Sequence, residues 1–184
     1  MSFSQETLTL TRDVVGILIP AGTRVELPEG ADATITQALG GSYTVQVQGH
    51  LFRIDGKDAD ALGKTPEQAP QVSANASEDE VAEAVRTQLK TVYDPEIPIN
   101  VVDLGLIYDC RLEPASGADG GWRLHVAMTL TAPGCGMGDI LVADVKAKAL
   151  AVPTVREAEV ELVFDPPWTQ DMMSEEAKLQ AGFI

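Results

Sequence analysis

Leu106-Ile107-Tyr108-Asp109-Cys110-Arg111-Leu112 is the stretch on which the fold reading turns. Leu106, Tyr108, Cys110 and Leu112 alternate with Ile107, Asp109 and Arg111, the two-residue period of a strand with one inward face. After a glycine-rich loop, 114–121, the period returns in Leu124, Val126, Met128 and Leu130. The two runs should therefore pair as a hairpin with a long connection. Helical patterns flank it. Upstream, Ser77-Glu78-Asp79-Glu80 has capping-box spacing, and Val81, Val85 and Leu89 follow at helical intervals, predicting a helix over about 78–90. Downstream, Leu141, Val142, Val145 and Ala149 share one side of a helix over 139–150, where Asp144 precedes Lys148 by four residues, the favourable order for an ion pair. Ala158, Val160, Leu162 and Phe164 then alternate with Glu157, Glu159 and Glu161, a strand with one buried and one acidic face. The segment 172–179 closes the domain.

This order, helix–strand–strand–helix–strand, predicts an α+β domain: a small mixed sheet with helices on one face. Ahead of it, short β-like segments at 7–11, 14–19, 24–27, 34–38, 43–48 and 51–54 are separated by Pro20-Ala21-Gly22, Pro28-Glu29-Gly30, Gly40-Gly41-Ser42 and Gly49-His50. Closely spaced strands with such turns predict a small β-rich, barrel-like or sandwich domain. The reading is thus a β-rich domain over 1–63, a linker over 64–76 and an α+β domain over 77–184.

Length and composition bound the function. The 184 residues suffice for one ordinary domain or two small ones, and a hydrophobic content of 45% is that of a globular protein. Thirteen Lys and Arg against 28 Asp and Glu give a net charge of −15. That balance argues against nucleic acid and against anionic membrane surfaces. The longest apolar run, near 14–19, is too short to span a bilayer, and the N-terminus lacks a basic region followed by an apolar stretch. A soluble, cytoplasmic protein is expected. Residues 1–72 carry 5 basic and 9 acidic side chains, and residues 73–184 carry 8 and 19. Partners of the second domain should therefore present basic patches, with association weakened by salt.

Two cysteines, Cys110 and Cys135, are too few for a disulfide framework and fit a reducing compartment. With only His50 and His125 beside them, one chain cannot supply a four-cysteine zinc or iron–sulfur site. A metal centre would need carboxylates, an external thiol or a second chain.

The most informative segment for chemistry is Thr131-Ala132-Pro133-Gly134-Cys135-Gly136-Met137-Gly138, between a strand and a helix. Its glycines allow tight geometry and unshielded backbone N–H groups, and the nearby positive end of the helix dipole favours the Cys135 thiolate. The alternative is a small buried cysteine in a turn. The Thr131 hydroxyl could bind an anion, but the loop lacks the Gly-Lys-Ser/Thr ending of a phosphate loop. Cys110, on the same alternating face as Leu112, is assigned to the core. His125 faces opposite to Leu124 and Val126, towards solvent or beneath a helix. Three acidic segments stand out: Asp94-Pro95-Glu96-Ile97-Pro98, Val101-Val102-Asp103-Leu104-Gly105-Leu106 and Asp165-Pro166-Pro167-Trp168. Asp165 reads as a turn cap, while Asp94 and Asp103 stay open between turn capping and chemistry. Met172-Met173 reads as packing.

Together, the run from Asp94 to Tyr108, the run from Met128 to Cys135 and Asp165-Pro166-Pro167-Trp168-Thr169 resemble the MIP18 (DUF59) family, over roughly 77–182. The N-terminal part, including the run from Thr36 to Val45, resembles the SufT type of that family. The resemblance implies a role in iron–sulfur cluster assembly or maturation on an α+β fold. It places the characteristic cysteine on Cys135, the first acidic motif on Asp94, Pro95 and Glu96, and the second on Asp103 and Gly105. Many relatives have proline after the cysteine, where this chain has Gly136, a difference that loosens the loop and keeps the thiol.

The leading expectation is a non-enzymatic accessory maturation factor, dimeric, using Cys135 to ligate iron or a cluster transiently or to engage a partner thiol. Asp94, Glu96, Asp103, Thr131, Gly134 and Gly136 are the candidate supporting residues. The expected partners are iron–sulfur assembly proteins and client apo-proteins. A metal-free adaptor docking the assembly machinery to clients is the alternative. A thiol redox enzyme with Cys135 as nucleophile ranks last, lacking a resolving cysteine nearby.

Overall fold

Turn residues at short intervals cut the N-terminal sequence into strands. The computed structural model describes residues 6–94, 96–117, 120–134 and 136–183, and the chain divides into two units, Met1–Gln68 and Ala69–Ile184. The first unit contains β1 (Glu6–Thr9), β2 (Val14–Ile19), β3 (Arg24–Leu27), β4 (Asp32–Leu39), β5 (Ser42–Val47) and β6 (His50–Asp55). They form one six-stranded sheet in the order β1-β4-β5-β6-β2-β3, with every pairing antiparallel. The β5–β6 turn has two residues, Gln48 and Gly49, both at positive φ (50° and 84°), the conformation that matches strand twist in a tight hairpin. Inward side chains including Leu10, Val14, Val45 and Ile54 form one core with Ala61 and Leu62 of the 3-10 helix Gly56–Leu62.

The second unit holds α1 (Glu78–Leu89), β7 (Ile107–Pro114), β8 (Trp122–Met128), α2 (Gly138–Leu150), β9 (Val155–Leu162) and α3 (Glu175–Ala181). The mixed α+β character expected from the sequence is present. Antiparallel β7 and parallel β9 flank β8 in a three-stranded sheet. Parallel neighbours need a crossover, and α2 supplies it, so the loop 129–137 leaves the carboxyl end of β8. Burial alternates along β8, where Leu124, Val126 and Met128 enter the core with Val81, Val85 and Leu89 of α1 and Leu141, Val145 and Ala149 of α2.

α1 starts at a complete capping box. The Ser77 amide donates to Glu80 Oε2 at 2.8 Å and the Glu80 amide donates to Ser77 Oγ at 3.3 Å. These bonds from Ser77 hold the Glu80 carboxyl below its ordinary value of 4.5. A carboxyl depressed in the fold stabilises it above the unfolded pKa and stops doing so as pH falls through the depressed one. Ser77→Ala should cost about 1 kcal/mol at neutral pH. The part of that penalty carried by Glu80 should fade on acidification below 4.5. Denaturant melts read by Trp122 and Trp168, both in the second unit, would check this; a pH-independent penalty would contradict it.

Two local expectations need correction. Cys110 is exposed rather than in the core. β7 is an edge strand, so a side chain can point to the helix-covered face of the sheet and still lie beyond the cover. Phe164 is 48% exposed because β9 stops at Leu162, before the alternation in the sequence runs out.

Candidate functional site

The carboxyl end of β8 continues into Thr129 and Leu130, both buried, with the Thr129 amide donating to Leu106 O at 2.9 Å. The chain then turns through Thr131 to Gly134. Gly134 adopts φ 82°, and a Cβ there would meet nothing within 4 Å, so backbone conformation rather than crowding calls for glycine. Gly136 is exposed. Cys135, like Pro95, lies outside the described residues. α2 begins at Gly138 after Met137, and no side chain caps it. Its first-turn amides thus receive no bond from the Met137 side chain, and the positive end of the helix dipole favours an anionic neighbour.

The acidic-proline segment reaches this loop. Asp94 is only 6% exposed. Its Oδ1 accepts from the Glu96 and Ile97 amides, each at 2.9 Å, while its Oδ2 accepts from Thr131 Oγ1 at 3.4 Å. One buried carboxylate thus performs the turn capping expected of an Asp and also holds the loop that leads to Cys135. Glu96 is exposed at the same turn.

Asp103 is placed differently. Its Oδ2 accepts from Asn100 Nδ2 at 2.7 Å, its Oδ1 lies 3.5 Å from Lys90 Nζ, and its carbonyl accepts from the Ser174 amide at 2.9 Å. The next residues continue that link to the C-terminal segment. Leu104 O accepts from Trp168 Nε1 at 2.7 Å, and Tyr108 Oη donates to Pro166 O at 2.8 Å. Gly105, at φ 73°, lets Met172 O approach to where a Cβ would be 2.1 Å away. Met173 packs into the core, as its pairing with Met172 suggested. The first acidic motif therefore meets the Thr131 loop, and the second fastens the third.

Sequence reasoning passed over Asn100. Its Oδ1 accepts from the Val102 and Asp103 amides at 3.1 and 2.9 Å while its Nδ2 holds the Asp103 carboxylate. The signal was an Asn followed three residues later by Asp, an Asx turn that orients a carboxylate.

Neither Cys110 nor His125 joins this arrangement. Cys110 lines a groove of about 340 Å³ with Glu78 and Ala82 of α1 and with Leu112 and Leu124. Partial burial of the thiol, and then Asp109, push its pKa above the ordinary 9.0, against an opposing pull from Arg86. His125 Nδ1 lies 3.2 Å from Glu159 Oε2, and its Nε2 lies 3.6 Å from Glu113 Oε2. The two carboxylates address different ring nitrogens, so one ion cannot use all three groups. Among the described residues no cluster of three or more His, Cys, Asp or Glu could hold a metal ion.

Residues 82–162 match the family described as iron-sulfur cluster assembly protein. An Fe-S protein maturation auxiliary factor of Porphyromonas gingivalis is 49% identical over 102 residues, covering 55% of this chain and 91% of that relative. The Fe-S protein maturation auxiliary factor YitW of Bacillus subtilis is 39% identical over 105 residues, covering 57% of this chain and 97% of that relative. A crystal structure of a DUF59 domain from Bacillus anthracis is 34% identical, covering 58% of this chain and 95% of that one, at a TM-score of 0.49. The chain belongs to the iron–sulfur cluster assembly protein family, of the SufT-type DUF59 kind.

Proposed function

We propose that this chain is an accessory factor in the maturation of iron–sulfur proteins, with the 77–184 domain carrying the chemistry. Cys135 ligates iron or a cluster transiently, or engages a partner thiol. The observation that carries this reading is the Asp94 carboxylate, buried at 6% exposure and bonded both to its own turn and to Thr131, four residues before Cys135. A buried carboxylate bridging two loops fixes their separation, and a ligand loop needs such bracing to present a thiol in one geometry.

The iron or cluster is cargo in this reading. The Cys135 thiol gives its proton to solvent, the thiolate takes up iron, and exchange for the recipient's thiolates hands the cargo on. Gly134 and Gly136, the sequence neighbours of Cys135, have no side chains to shield the backbone N–H groups of the loop. The uncapped start of α2 favours the thiolate. Asp94 and Glu96 supply carboxylate oxygens next to the loop, Thr131 orients it, and Asp103 holds the surrounding frame. Cys110 is a poor second ligand, because burial and then Asp109 disfavour its thiolate. The remaining ligands come from a second copy of the chain, in a homodimer, or from a client apo-protein. The Glu157, Glu159 and Glu161 face of β9 suits basic surfaces on assembly proteins and clients. No helix among the described residues is long and apolar enough to cross a membrane, in keeping with the cytoplasmic setting proposed here.

The test is transfer. Mixed with an apo-client under anaerobic conditions, the iron- and sulfide-loaded chain should activate the client, Cys110→Ser should match it, and Cys135→Ser should fail. Full client activation by Cys135→Ser would replace this reading with that of a metal-free adaptor.

A further inference from the structure

β9 ends the sheet on the side opposite β7, and among the described residues no strand lies beyond it. The directions of its backbone groups follow from the parallel ladder. The Val163 amide donates to Met128 O at 2.8 Å, and the register runs unbroken from Arg123↔Glu157 to Met128↔Leu162. Successive residues of a strand turn their N–H and C=O groups to alternate sides. Glu157, Glu159 and Glu161 therefore bond towards β8, while the amides and carbonyls of Ala158, Val160 and Leu162 face outward. After Leu162 the chain crosses to the β7 side, where Pro166 O accepts from Tyr108 Oη at 2.8 Å, and adds no strand to β9.

Side chains define what this edge can receive. On the helix-covered face, Val126 and Met128 of β8 are buried. Val160 and Leu162 of β9 pack on the same core and are only half-buried. An added strand with apolar residues at alternate positions would complete their cover. On the other face Glu157, Glu159 and Glu161 are exposed. Arg123 pairs with Glu157 and His125 lies beside Glu159, but Glu161 neighbours Ala127 and has no ion-pair partner among the described residues. Opposite charges across two strands favour pairing, and like charges oppose it. A second copy of β9 would set glutamate against glutamate in any antiparallel register that keeps the apolar faces together. The occupant that fits is a strand of different sequence, with Lys or Arg alternating with apolar residues.

The edge also lies at a useful place. β8 and β9 are parallel, so their carboxyl ends lie together, and Met128, beside Leu162, leads directly into the 129–137 loop. A segment laid along β9 would leave the sheet about 10 Å, two strand spacings, from where that loop begins. Phe164, 48% exposed, follows Leu162 at the same end and offers the segment a further apolar contact.

We propose that the outer edge of β9 receives, as a fourth strand, an extended segment of the client apo-protein in which basic and apolar residues alternate, bringing the client to the Cys135 loop. The proposal rests on the maturation reading above. The probe is a labelled peptide of Lys-Val repeats, added to the full chain without iron. A block peptide of the same composition and a peptide of Glu-Val repeats are the controls. The Lys-Val peptide should bind more tightly than either by about tenfold or more. It should slow hydrogen exchange at the amides of Ala158, Val160 and Leu162 by about tenfold or more, which attachment to the acidic face alone would not do. Glu161→Lys, an exposed change, should weaken its binding by about tenfold. In the transfer test, saturating peptide should slow delivery from the loaded wild type to the apo-client and leave the absorption of the loaded chain unchanged. Equal binding of the block and alternating peptides, unchanged exchange at the three amides, binding indifferent to Glu161→Lys, or transfer indifferent to the peptide overturns this edge as the client's site. Each of these results leaves the maturation reading standing. A wild type that binds the peptide at this edge and delivers nothing overturns the maturation reading, and the client as occupant with it.

Discussion

Gly105→Ala should lower the unfolding free energy of the second unit by roughly 2–5 kcal/mol, since the added methyl group meets backbone at a positive φ. Two costs add. At φ 73° an L-side chain pays about 1–2 kcal/mol for the left-handed conformation. The added Cβ would also stand 2.1 Å from Met172 O and 3.0 Å from Met172 Cβ, a contact that only movement of the C-terminal segment relieves. That movement strains the bonds from Tyr108 to Pro166 and from Trp168 to Leu104. Trp168 fluorescence in a urea titration reads the effect directly. A midpoint shift no larger than that of an exposed Gly→Ala change would show that the clasp is looser than its geometry. The expected loss of maturation activity should follow stability, because Gly105 belongs to the frame and not to the thiol loop.

Asp94→Ala should cost roughly 2–3 kcal/mol, since it leaves the Glu96 and Ile97 amides without their charged acceptor. It should also abolish transfer to clients, because it frees Thr131 from the turn. Asp94→Asn separates the two effects. The amide oxygen still accepts both N–H groups, so stability should stay within about 1 kcal/mol of the wild type. The negative charge beside the loop is gone, so transfer should fall. If Asp94→Asn transfers as well as the wild type, the carboxylate is only a turn cap, and its approach to Thr131 has no part in the chemistry.

The parts of the fold set by local rules could be read from the sequence. The Ser77–Glu80 box and the Val81, Val85 and Leu89 stripe needed only near neighbours to specify α1. Strand periodicity likewise located β7 and β8. A period of two names the face of a side chain and says nothing of what covers it, which is why Cys110 was assigned to the core. Alternation also outlasted the strand at Phe164, since a pattern of side chains does not record where hydrogen bonding stops. The contact between Asp94 and Thr131 spans 37 residues of sequence, and no local signal encodes it. The motifs were legible as motifs. Their pairing, first with the cysteine loop and second with third, depended on how β8, α2 and the C-terminal segment return on one another. Asn100 is the least legible of these residues, because its work is done through Asp103.

Anaerobic reconstitution of the full chain and of Cys135→Ser, followed by absorption spectra and iron and sulfide analysis, tests the central claim most directly. The wild type should take up iron and sulfide with the absorption of thiolate-ligated iron, and Cys110→Ser should do the same. Cys135→Ser should retain neither metal nor sulfide above background. Equal iron and sulfide in the wild type and in Cys135→Ser would contradict ligation by Cys135.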